Sequence, residues 1–278
     1  MEICFYPGCS FETSAGYSQS LNALCAHLNI RLNSVPDWNC CGSTAFFSVQ
    51  ELSAYPAARV LALAAKSGAA SLVTGCNGCY NTLRKVKKLL QENEQVCSDI
   101  QTRLEQEGLK PAPPDLGIRH LLEFFAQDVP GEAWIRDTGA PKLRVAAYSG
   151  CLLSRPWTDV DDPENPVMLD RFMQALGFTP VDHRLKASCC GAAHALPYRE
   201  ETEALVERIV RTMQDKGADL AATICPLCQL NLESAQLGLG LPGLPVLFFT
   251  QLAGLSLGLP HSGLGLDKLL ISPEKLWS

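Results

Sequence analysis

At 278 residues the chain is long enough for two compact units that each bury a core. Its net charge of −6, from 23 Lys and Arg against 29 Asp and Glu, excludes a nucleic-acid binder, because neutralising phosphates requires clustered basic side chains. Thirteen cysteines, without a basic and apolar export leader at residues 1–6, argue against a secreted disulfide-rich protein and predict reduced thiols in the cytoplasm.

The first half alternates short apolar strands with helices. The predicted elements are strands over 2–6, 31–35 and 71–74, helices over 13–29, 49–66 and 80–107, and an apolar segment over 118–125. Gly68 and Gly108 follow two of these helices and are expected to end them.

The second half repeats this order after a polar connection over residues 128–142. Its predicted elements are strands over 143–148 and 219–224, and helices over 167–176 and 199–216. We therefore expect a first domain over 1–138 and a second over 139–278, which includes a C-terminal tail. The apolar stretch 237–260 is interrupted by prolines and glycines, so it is expected to be a core strand and helix, or a hydrophobic docking face, and not a membrane span.

Ten cysteines form two copies of one pattern, C…CCG…CxxC. The first copy is Cys9, Cys40, Cys41, Cys76 and Cys79, and the second is Cys151, Cys189, Cys190, Cys225 and Cys228. In both copies 34 residues separate the adjacent pair from the CxxC, which indicates an internal duplication. The predicted fold is α/β, with two pseudo-symmetric Rossmann-like halves that each carry a CCG motif. The cysteines fall where strands end, and ligands collect at such ends in open α/β sheets.

Adjacent cysteines suit a cluster of several irons better than one small tetrahedral ion. Glycine after each pair, at Gly42 and Gly191, permits a positive φ or a close approach of backbone to the group that the sulfurs hold. Two zinc sites, or one zinc and one cluster, remain alternatives, and a redox dithiol would not need the distant pair. The cysteines outside the pattern are expected to be core residues: Cys4, Cys25 and Cys97.

The duplicated motifs resemble the catalytic B subunit of heterodisulfide reductase over nearly the whole sequence. The likeness includes the Tyr-x-Gly-Cys openings at 6–9 and 148–151, with Gly8 and Gly150, and the closing segment 244–252. The resemblance implies that each set of five cysteines holds a non-cubane 4Fe-4S cluster. It also implies reduction of a disulfide, or its formation in reverse, by one electron from each of two clusters at a common cleft.

The implied partners are an iron–sulfur C-type subunit, a flavin A-type subunit, and a disulfide or thiol substrate that is small or protein-bound. His120, His183 and His194 are candidate proton donors, and His194, three residues after Gly191, is the best placed of them, although a neutral core or surface histidine is the default interpretation. The basic run over 84–88 is interpreted as a solvated helix face or a surface for an anion. Two other functions remain open: an electron relay beside a flavin-dependent glycolate, lactate or succinate dehydrogenase, and a zinc-containing interaction module.

Overall fold

The computed structural model describes residues 1–49, 53–134 and 143–277. Its strands are β1 (Glu2–Tyr6), β2 (Arg31–Ser34), β3 (Ser71–Thr74), β4 (Gly117–His120), β5 (Arg144–Tyr148), β6 (Thr179–Pro180), β7 (Leu220–Thr223) and β8 (Val246–Phe248). Its helices are α1 (Tyr17–His27), α2 (Ser43–Ser48), α3 (Tyr55–Lys66), α4 (Asn77–Glu92), α5 (Glu94–Gln106), α6 (Leu121–Gln127), α7 (Met168–Ala175), α8 (Arg199–Asp215), α9 (Pro226–Leu239) and α10 (Phe249–Ser256).

The strands form two parallel four-stranded sheets with the same internal order. One sheet runs β2-β1-β3-β4 and the other β6-β5-β7-β8. The strands β1 and β5 occupy the second position of their sheets, and each pairs in parallel with a strand on both sides. Each of them precedes the first cysteine of a motif. The predicted α/β class, with a duplicated Rossmann-like arrangement, is confirmed.

By their contacts the residues fall into two compact units. The first unit comprises Met1–Cys9 and Asn29–Leu121, and the second comprises Ser10–Leu28 and Leu122–Ser278. Helix α1 therefore belongs to the second unit, where it packs on α10. The Tyr17 ring stacks on Phe248 with centroids 4.1 Å apart, and the hydroxyls of Ser20 and Thr250 are hydrogen-bonded at 2.8 Å. The expected domain boundary at 138/139 lies outside the described residues and stays a prediction.

The prediction of one helix over 80–107 is wrong, because the chain turns at Asn93. This residue is extended, with φ −127° and ψ 100°, and its side chain accepts a hydrogen bond from the Val96 N–H at 3.1 Å. An asparagine in this position satisfies the first free N–H groups of a new helix, so it ends α4 and begins α5. The start was also misplaced, since Cys76 is the N-cap of α4.

The apolar stretch 237–260 supplies β8 and α10, and both are buried. This confirms a core strand and helix, although Leu237 itself is 58% exposed. None of the helices in the described ranges is long and apolar enough to cross a membrane. Of the cysteines outside the motif, Cys25 is buried as expected, whereas Cys4 and Cys97 are only half-buried.

Candidate metal centre

The first motif gathers at the carboxyl ends of β1 and β3. Cys9 lies three residues after β1, Cys76 caps the N-terminus of α4, and Cys79 lies in the first turn of that helix. The adjacent pair, Cys40 and Cys41, lies in the loop between β2 and α2. Parallel strands end at one edge of their sheet, so sulfurs that are 31 or more residues apart in sequence become neighbours.

The sulfurs of the first set are close enough to touch. Cys41 Sγ lies 3.3 Å from Cys79 Sγ, and Cys40 Sγ lies 3.7 Å from Cys9 Sγ. Cys41, Cys76 and Cys79 are buried, whereas Cys9 and Cys40 are exposed. The set therefore has a buried inner part and an edge that faces solvent.

The second set has the same arrangement. Cys190 Sγ lies 3.6 Å from Cys228 Sγ, and the Gly191 N–H donates to Cys189 Sγ at 3.3 Å. Three of its cysteines are buried, Cys151 is half-buried and Cys189 is exposed; the buried three are Cys190, Cys225 and Cys228. The structure thus brings together all ten predicted cysteines, as one group of five in each unit.

The donor set fits an iron–sulfur group. Each unit offers thiols alone, and soft thiolate ligands select zinc, copper(I) or iron–sulfur clusters. Gly8 leaves room beside the sulfurs, because a Cβ there would lie 3.0 Å from Cys79 Sγ.

The glycines expected at the site all have a left-handed backbone. The φ angles are 71° at Gly8, 73° at Gly42, 69° at Gly150 and 80° at Gly191. At Gly191 a Cβ would also lie 2.9 Å from Thr202 Cγ2 on α8. The positive φ anticipated at the glycine after each cysteine pair is therefore present. It lets the backbone N–H of the glycine turn back to the sulfur of the first cysteine of the pair, and the Gly42 N–H contacts Cys40 Sγ at 3.5 Å.

Replacing Gly8 by alanine tests this crowding. Gly68→Ala is a matched control, because Gly68 has φ 78° and nothing within 4 Å of its Cβ position. Both substitutions should cost roughly 1–2 kcal/mol for the left-handed backbone, and Gly8→Ala should cost more because Cys79 must move. Urea unfolding of the metal-free protein measures the difference, and equal losses in both variants would contradict it.

Hydrogen bonds between thiols shift their acidity in opposite directions. Bonds from Cys40 and Cys79 hold the pKa of Cys41 well below its ordinary value, and the contact with Cys41 raises the pKa of Cys79. In the second set the pKa of Cys189 falls to about 6, first because Cys151 donates to it and also because the Gly191 N–H does. In each set the thiol whose pKa is lowered is the one that loses its proton most readily, and the thiolate is the form that binds metal.

The histidines considered as proton donors occupy different environments. His194 is exposed, 6.1 Å from the Tyr198 ring, and its charge contributes to lowering the pKa of Cys189. His183 is buried, and its Nε2 lies 2.8 Å from the Ala147 carbonyl oxygen. His120 is fully buried at the end of β4, against the edge of Tyr80. Of the three, only His194 is exposed to solvent.

Residues for which the sequence predicted no role hold the loops of the cysteine pairs. The Arg59 guanidinium donates to the Asp37 carbonyl oxygen at 2.7 Å and to Asn39 Oδ1 at 2.9 Å, just before Cys40. In the second unit the carbonyl oxygen of Lys186, three residues before Cys189, accepts from the Gly150 N–H at 3.0 Å. A lone basic residue gives no local signal of such a role, because its partners are distant in sequence.

Comparisons with known proteins agree with the duplicated pattern. The sequence model of the family described as CCG, cysteine-rich domain, matches residues 3–84 and 145–233. The chain is 30% identical to the 8-methylmenaquinol:fumarate reductase membrane anchor subunit of Wolinella succinogenes, over 99% of both chains. It is 27% identical to the B subunit of the ferredoxin:CoB-CoM heterodisulfide reductase of Methanosarcina mazei, over 96% of this chain and 93% of that one.

A solved structure shares the fold. The crystal structure of a hypothetical protein from Helicobacter pylori matches 97% of this chain with a TM-score of 0.78, at 16% sequence identity. The match covers 52% of that chain, so the present chain spans about half its length. The relatives from Wolinella succinogenes and Methanosarcina mazei are, by their names, subunits of multi-subunit reductases.

Proposed function

The chain belongs to the family of duplicated CCG cysteine-rich domains that includes the B subunit of heterodisulfide reductase, and from this premise we propose that it is the catalytic iron–sulfur subunit of a heterodisulfide reductase-like complex. The reaction would convert one disulfide, two electrons and two protons into two thiols, or run in reverse. One observation carries the proposal: each unit gathers five thiols into a group with a buried part and an exposed edge.

The five thiols of each unit would hold one non-cubane 4Fe-4S cluster. Each bound cluster would supply one electron, so that two clusters match the two electrons a disulfide requires. The buried cysteines would anchor the group away from water, and the exposed ones, Cys9 and Cys40 in the first unit and Cys189 in the second, mark where a substrate sulfur can approach.

The chain's own contribution to proton transfer would come from His194. Its ring is exposed to solvent and acts electrostatically on Cys189, so it would exchange protons with solvent and pass one to a departing thiolate. The electrons would arrive from a C-type iron–sulfur subunit and, beyond it, an A-type flavin subunit. We also propose a cytoplasmic location, because the ligands must remain reduced thiols.

Anaerobic purification followed by iron and acid-labile sulfide analysis tests the cofactor. Both elements are expected, in an amount that corresponds to two clusters per chain. Electron paramagnetic resonance (EPR) of the oxidised protein, with and without added thiol, then tests the reaction, since a paramagnetic signal that depends on thiol is expected when substrate sulfur reaches the cluster. Zinc without sulfide would overturn the whole proposal.

An electron relay is the second candidate, and the relative from Wolinella succinogenes favours it. That protein is named as a subunit of a fumarate reductase, a reaction without a disulfide, and it is 30% identical to this chain. Iron and sulfide at the expected level, with EPR signals that do not respond to thiol, would select the relay over disulfide chemistry.

A further inference from the structure

Two tyrosines occupy equivalent positions behind the sulfur sets. Tyr6 is the last residue of β1 and Tyr148 the last residue of β5, and each stands three residues before the first cysteine of its motif. Both side chains are 0% exposed. A buried phenol needs a partner for its hydroxyl, and that partner identifies its role.

Each hydroxyl bonds to the residue directly before the cysteine pair. The Tyr6 hydroxyl donates to the Asn39 carbonyl oxygen at 2.8 Å, and the Tyr148 hydroxyl donates to the Ser188 carbonyl oxygen at 2.6 Å. These bonds join segments 33 and 40 residues apart. In each unit a strand end is thus tied to the loop that carries the two adjacent sulfurs.

An ordinary phenol is protonated at neutral pH, so each hydroxyl can donate to its carbonyl oxygen.

We propose that Tyr6 and Tyr148 are positioning residues. Each fixes the cysteine pair of its own unit against the first cysteine, and it thereby sets how firmly the group bound there is retained and what reduction potential that group has. The part concerning potential rests on the proposed function, whereas the positioning itself concerns the thiols alone. Hydrogen bonds that orient ligands typically alter both metal affinity and cluster potential.

The positioning is tested in metal-free protein by the alkylation of single cysteines. Cys41 and Cys190 are buried, so iodoacetamide reaches them only when the loop opens. Loss of one buried hydrogen bond should make opening about fivefold more frequent. Tyr6→Phe should therefore raise the alkylation rate at Cys41 and not at Cys190, and Tyr148→Phe should do the reverse. Peptide mass spectrometry resolves the two sites.

Tyr17→Phe is the control, because Tyr17 is equally buried and takes no part in the two hydrogen bonds that hold the cysteine pairs. Rates that stay unchanged in both test variants, or that rise at both sites together, would overturn the inference, since the second pattern reports general destabilisation. The two variants are independent, so a folding defect in one, seen by circular dichroism, leaves the other as the test.

In the iron-loaded protein, each variant should shift the midpoint potential of one cluster and leave the other unmoved in an EPR-monitored titration. Wild-type protein that lacks iron and sulfide would defeat the proposed function, while the alkylation result would still decide the positioning role. Wild-type protein with two clusters whose potentials do not change in either variant would overturn the part concerning potential.

Discussion

Cys41→Ser is expected to remove about half of the iron and acid-labile sulfide from anaerobically purified protein. Cys41 is buried and its sulfur lies 3.3 Å from that of Cys79, so it belongs to the inner part of the first set. A serine hydroxyl is a harder ligand and stays protonated at neutral pH, so it does not replace a thiolate. Because the second set is complete in its own unit, its cluster should remain.

Two further variants make this result specific. Cys190→Ser, the equivalent change in the second set, should remove the other half and leave the EPR signal that Cys41→Ser abolishes. Cys97→Ser is the control, because Cys97 is a half-buried thiol outside the motif, and it should leave iron and sulfide unchanged. Equal losses in the Cys41 and Cys97 variants would show that the sets had been assigned wrongly.

Lys186→Met is expected to lower the free energy of unfolding at pH 7 by about 3 kcal/mol. The Lys186 ammonium is 2.9 Å from Asp170 Oδ1, and the two side chains are 5% and 13% exposed. Removing the cation leaves a buried carboxyl without its counter-charge, which is costly whether it ionises or takes up a proton. Urea unfolding of the metal-free protein measures this loss.

The pH dependence of that loss has a definite sign. Burial raises the pKa of Asp170, and Lys186 opposes this rise, so the pKa should rise further in the variant. A carboxyl whose folded-state pKa is raised favours folding at low pH, and this contribution is lost as pH rises through the folded pKa. The variant should therefore approach the wild type in stability as the pH falls and Asp170 becomes protonated.

Asp182→Ala and a double variant serve as controls for the ion pair. Asp182 also contacts the Lys186 ammonium, at 3.3 Å, but its side chain is 93% exposed, so its removal should cost under about 1 kcal/mol. Lys186→Met combined with Asp170→Leu should recover much of the stability, because an apolar pair leaves no buried charge. A loss in the double variant as large as in the single one would assign the effect to packing.

The two units hold their cysteine pairs by different means, although their sheets share one strand order. In the first unit Arg59 on α3 reaches the loop directly and is itself paired with Glu107, whose Oε2 lies 2.6 Å from its Nε. In the second unit Lys186 lies within the loop and reaches Asp170 on α7. The last strands of the two sheets also differ. In the first sheet His120 of β4 lies opposite Thr74, whereas in the second sheet Phe248 of β8 lies opposite the equivalent Thr223. The two units therefore share the cysteines and the tyrosine hydrogen bonds, whereas the charged residues near the cysteine pairs differ.

Local sequence composition predicted most strands closely, because a short apolar run is a local signal. Short apolar runs identified β1 and β3 at their observed bounds, and the repeated cysteine spacing predicted two equivalent sites. Where local signals compete, the prediction failed: the apolar stripe continued through Asn93, but the side chain of that residue caps a new helix. Periodicity records which face is apolar and does not record where the backbone turns.

The sequence by itself determined the ten thiols, their division into two sets and their place after the strands, because these follow from covalent order and from the geometry of parallel sheets. Only the tertiary structure decided which thiols are buried, that α1 packs on α10 in the second unit, and that Tyr6 and Tyr148 tie the loops of the cysteine pairs. Burial and hydrogen-bond partners arise between residues distant in the chain, and no local pattern of residues specifies them.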